Sequence, residues 1–128
     1  MITVSNRAAL LALTALTLTA CGSSGHSPTT HTAATTRAAA QETCQQVSAA
    51  LADGPDPDSD PLGYAEAQIL PLSQIHTSDP TLGKAISTLA GAYSSFYTAQ
   101  GKGGTVKSAL NTAINKVNSL CPGAGATA

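Results

Sequence analysis

Charge and aromatic side chains are what this chain most lacks. Only 10% of its 128 residues are Asp, Glu, Lys or Arg, and 6 basic against 7 acidic residues leave a net charge of −1. A balance so close to zero supplies no field to hold a nucleic-acid backbone or an anionic membrane surface, so neither partner is expected. Three Tyr, one Phe and no Trp make the core lean, built mostly from aliphatic side chains. The apolar run Ala8–Leu18 (AALLALTALTL) falls short of the about 20 residues that span a bilayer. Strand-like alternation of apolar and polar residues is absent. So is a Gly-x-Ser-x-Gly elbow, and His76 is the one histidine outside the N-terminal segment. With Glu42 and Glu66 as its only glutamates, the chain lacks the parts of a catalytic triad or a paired-carboxylate site. No enzymatic activity, cofactor or metal is expected.

What is present begins at the N-terminus. Arg7 is the only charge in the polar opening, the apolar run follows, and Leu18-Thr19-Ala20-Cys21 closes it. A positive start, an apolar centre and small residues at the end are the parts of a secretory signal. The stretch resembles the bacterial prolipoprotein signal, with Leu18, Thr19, Ala20 and Cys21 matching its Leu-x-Ala-Cys consensus. The abundance of Ala, Thr, Ser and Gly is similar in style to exported proteins of high-GC Gram-positive bacteria. The resemblance implies cleavage after residue 20 and a diacylglyceryl group on the sulfur of Cys21. Two acyl chains anchor stably where one binds only marginally, which would place the protein on the extracytoplasmic face of the cell membrane.

The cysteine count agrees with that reading. Three cysteines are an odd number for an exported chain, but a lipidated Cys21 leaves Cys44 and Cys121 as one pair outside the reducing cytoplasm. Residues 21–40, small and polar, read as the lipidated cysteine and a flexible tether. From residue 41 to 121 apolar residues recur at steps of three and four. Cys44, Val47 and Leu51 mark a first stripe that stops at Asp53-Gly54-Pro55. Leu62, Ala65, Ile69, Leu72 and Ile75 mark a second, with Asp60 as N-cap, Pro61 at the first helical position and, because of Pro71, a kink or break expected near Leu70. Leu82, Ile86, Leu89, Tyr93, Phe96 and Tyr97 mark a third, between Asp79-Pro80 and Gly101. Val106, Leu110, Ala113, Ile114, Val117 and Leu120 mark a fourth, with Thr105 as its N-cap. Short linkers favour antiparallel neighbours, and four helices return the chain to its starting end. Cys44 in the first turn of the first helix and Cys121 in the last turn of the fourth would then meet. The fold class is therefore an all-α, antiparallel four-helix bundle closed by one disulfide, with residues 122–128 as a disordered tail.

Several constellations invite a functional reading. Asp53, Asp56, Asp58 and Asp60 share the loop ADGPDPDSDP, and alternate carboxylates suit calcium. Pro61 and Ala67, however, stand where an EF-hand loop needs glycine and glutamate, so a solvated acidic loop explains the same residues. Gly101–Ser108 superficially resembles a phosphate-binding loop, but Val106 replaces a required glycine and no strand precedes it. His26, His31 and His76 lack an ordered set of partners for a metal. Tyr64, Tyr93, Phe96 and Tyr97 fall together as either a small-molecule pocket or the bulky part of an alanine-rich core.

These features lead to the expectation of a non-catalytic binding or interaction module at the cell surface. The Asp53–Asp60 and Gly101–Thr105 turns, at the end away from the anchor, are its first candidate contact points. A carrier of a small apolar ligand around the four aromatics and an envelope-structural protein are the alternatives.

Overall fold

The computed structural model describes residues 29–128. The signal reading, Cys21 and His26 lie outside them. Four helices follow one another, α1 (Thr29–Leu51), α2 (Pro61–Gln74), α3 (Pro80–Thr98) and α4 (Gly104–Leu120), with no strand among the described residues. None of these helices is long and apolar enough to cross a membrane.

The helix starts follow from local chemistry. Asp60 accepts the Gly63 N–H at 2.9 Å, and Asp79 accepts those of Thr81 at 2.8 Å and Leu82 at 3.0 Å. In both cases a proline follows, where its missing N–H costs nothing. The expected cap at Thr105 is not found. Gly103 is the N-cap of α4, with φ of 98°, a conformation closed to a β-branched residue, and Thr105 lies inside the helix. Nor does α2 break near Leu70, since it continues through Pro71 to Gln74. The proline removes one N–H, the one that would reach the Ala67 carbonyl, within a turn of the helix end, where little of the ladder remains to be lost.

α3 is the centre of the bundle. Leu82, Ala85, Ile86, Leu89, Ala90, Tyr93 and Phe96 bury one face of it, against Tyr64, Ala65, Gln68 and Leu72 of α2 and Leu110, Ala113, Ile114 and Val117 of α4. α1 joins this core only through its C-terminal half, where Thr43, Val47 and Leu51 are buried. Its N-terminal half is exposed from Ala33 to Ala38, so the helix there rests on propensity. Ala at positions 33, 34 and 38–40 extends a helix already nucleated by the packed half, one bond for each residue fixed. The expected flexible tether thus gives way to helix from Thr29 onward, and Cys44 sits well inside α1 rather than in its first turn.

Cys44 and Cys121 form the disulfide, their α-carbons 5.3 Å apart and 77 positions distant in sequence. The segment beyond it is not a disordered tail. Ala124 and Ala126 are buried, and Asn118 both donates to the Ala126 carbonyl at 3.0 Å and accepts its N–H at 3.2 Å. The Tyr93 hydroxyl donates to the Thr127 carbonyl at 2.6 Å. Small residues let this strap lie flat on the helices, and two polar side chains replace the water its backbone would otherwise need.

Candidate functional site

The acidic loop uses its carboxylates on its own backbone. Asp53 accepts the Gly54 N–H at 3.0 Å, and Asp56 accepts those of Asp58 and Ser59, both at 2.9 Å. With Asp60 capping α2, these are Asx-turn and cap bonds. All four aspartates are exposed. Among the described residues no group of three His, Cys, Asp or Glu side chains is placed to hold a metal ion, and His76 stands exposed near the end of α2. Gly54 is required here. Its φ is 111°, and an added Cβ would come within 3.1 Å of the Ala67 Cβ, so the loop lies directly on α2.

Beneath the loop, α2 supplies the polar partners that the end of α1 needs. The Tyr64 hydroxyl donates to the Leu51 carbonyl at 3.0 Å, and the Gln68 amide to that of Asp53. The carbonyl oxygen of Gln68 is buried without a partner.

The aromatic cluster is packed interior. Tyr64, Tyr93 and Phe96 are buried, and the two tyrosine rings meet edge to face, centroids 5.9 Å apart and planes at 81°. Both hydroxyls are engaged by main-chain carbonyls. Burial holds the Tyr93 phenol well above its ordinary range, with Tyr64 adding to the effect. Tyr97 stands apart, half-buried, where the Glu66 carboxylate raises its pKa.

The open space lies elsewhere, between α3 and α4. A groove of about 1090 Å³ lies just above the roughly 300–1,000 Å³ typical of ligand sites. Ala85 and Ala113, both buried, form its floor. Thr81 and Thr88 of α3 face Ser108, Ala109 and Thr112 of α4 along its sides. Thr88 donates its hydroxyl to the Lys84 carbonyl at 2.7 Å, and Thr112 to that of Ser108 at 2.8 Å. Their hydroxyls are thereby turned to their own helices, and the methyl groups remain for the groove. Lys84 from α3 and Lys116 from α4 complete the lining, which contains no carboxylate among the described residues. The arrangement is an aliphatic trough under two ammonium groups.

Of the residues the sequence pointed to, only the Gly101–Ser108 turn contributes to this groove, through Gly104, Thr105 and Ser108. The four aspartates and the four aromatics do not line it. The signal for the rest was a stripe of small and hydroxyl residues at helical spacing on the polar side of two helices, a pattern shared with any solvated face. No protein-family model matches the chain, and no curated protein or solved structure matches it either.

Proposed function

We propose that this chain is a lipid-anchored, extracytoplasmic binding module without catalytic activity, and that the α3–α4 groove is its binding face. The observation that carries this reading is the groove itself: a trough of ligand size, floored by alanines where large apolar side chains would otherwise close the helix interface. Its side chains offer contact and charge rather than a nucleophile with a base. The lipobox-like Leu18–Cys21 segment and the exclusive pairing of the other two cysteines support the anchor.

Two measurements test it. Cells producing the full chain should hold it in the membrane fraction, with Cys21→Ala releasing it from lipid and an intact mass showing the diacylglyceryl group on the unaltered protein. A photo-crosslinking residue at Ala109 on intact cells should capture a partner that the same residue at Asp58 does not. An unacylated chain would remove the anchor, and equal capture at both positions would remove the groove.

A further inference from the structure

We infer that the α3–α4 groove takes a single-chain anionic amphiphile, an acyl chain ending in a carboxylate. This deepens the binding-module reading above and rests on it. The whole chain carries −1, yet the groove holds two lysines and no carboxylate among its described lining residues. All four aspartates of the Asp53–Asp60 loop are committed to another part of the surface. An anion entering the groove therefore meets two cations against the single charge of Asp79, which caps α3 beside Thr81, while a cationic or zwitterionic ligand gains less.

The walls define the rest of the ligand. Ala85, Ala109 and Ala113 present methyl groups. Thr88 and Thr112 present theirs because their hydroxyls are bonded to their own helices. The lysines add their four-carbon stems, with the ammonium groups free to stay in water at the rim. Such a surface solvates methylene groups, and Thr81, Thr105 and Ser108 add hydroxyls along it. It contains no aromatic ring on which a sugar or base would stack. A trough with charge at its edge fits a slender chain and one anionic head. The ligand is a free amphiphile rather than a bilayer surface, because the charge of the groove is two lysines rather than a basic face.

The test uses the full chain carrying Cys21→Ser, which removes the attached lipid and lies outside the described residues, purified without detergent. Calorimetric titration with dodecanoate below its micellar concentration should show saturable binding. Dodecanol should bind at least tenfold more weakly and dodecyltrimethylammonium should not compete. The double variant Lys84→Glu/Lys116→Glu should weaken dodecanoate binding at least tenfold. So should Ala109→Trp, a change at an exposed position that fills the trough. Far-ultraviolet circular dichroism and melting curves identify a variant that has unfolded, in which case Ala109→Phe and Lys84→Ala/Lys116→Ala replace it. Absence of binding overturns the inference, as does equal binding by the variants, equal binding of dodecanol, or binding to anionic phospholipid vesicles without binding to dodecanoate. Partner capture at Ala109 on cells with no dodecanoate binding would overturn the ligand class alone. Failure of both would overturn the groove as well.

Discussion

The side-chain amide of Gln68 donates to the Asp53 carbonyl at 2.6 Å from a position of zero exposure, tying α2 to the end of α1. The oxygen of the same amide has no partner, so one buried side chain holds a satisfied and an unsatisfied group. Gln68→Glu keeps the shape but buries a charge, and should lower stability by about 3 kcal/mol at neutral pH. Burial would raise the folded-state pKa of that new carboxyl above its unfolded value. The deficit should therefore shrink as the pH falls and grow as it rises through the folded pKa. Urea unfolding of both proteins at pH 4 and pH 7 (about the two sides of an ordinary carboxyl titration) checks this, and an equal deficit at both would contradict it.

The disulfide closes a segment of 77 positions. In the loop-entropy account that constraint contributes about 4–5 kcal/mol, a large share of the 5–15 kcal/mol typical of a whole domain. Replacing Cys44 and Cys121 by serine should lower the melting temperature by tens of degrees or leave the helices unformed at 37 °C (about the upper growth range at which such domains lose folding without their bridges). Circular dichroism melts with and without reductant measure it.

Asn118 holds the Ala126 main chain by two hydrogen bonds. Asn118→Ala should cost about 1–2 kcal/mol. Hydrogen exchange should accelerate at the Ala126 amide while the amides of α3 keep their protection. Unchanged exchange at Ala126 would show that the strap does not depend on this clamp.

Tyr93 links stability to alkaline pH. Its folded-state pKa is raised above 10.0 by burial, so the group stabilises the fold fully below that value and progressively less as the pH rises through it. Wild type should lose stability above pH 10 more steeply than Tyr93→Phe. The variant itself should be less stable by about 1 kcal/mol at neutral pH, because it leaves the Thr127 carbonyl without its donor. Denaturant titrations along a pH series, followed by tyrosinate absorbance, separate the two effects.

Much of the fold was legible in the sequence where its determinants are local. Asp60-Pro61 and Asp79-Pro80 read correctly as helix starts because a cap bond spans only two or three residues. The apolar stripes of α2, α3 and α4 read correctly because burial repeats with the helix period. The start of α4 was misplaced because Thr105 is a good cap by type, whereas the choice of Gly103 is made by a positive φ that no side chain announces. The strap was missed for a different reason. Ala124 and Ala126 are too small to signal burial, and the side chains that hold the strap, Asn118 and Tyr93, lie 8 positions from Ala126 and 34 from Thr127. The aromatic residues were recognised as a cluster, but whether such a cluster is filled or hollow depends on packing across three helices. The groove was invisible for the converse reason, since its walls share the composition of a solvated surface.

The position of the sulfur bridge has a mechanical consequence. Tension applied between the N-terminal end of α1 and the C-terminal strap enters at Cys44 and leaves at Cys121, crossing a covalent bond rather than the helices. Pulling on the two ends therefore stretches the flanks alone. The residues between the cysteines, including both walls of the trough, lie off the line of force and keep their spacing while the attachment is strained.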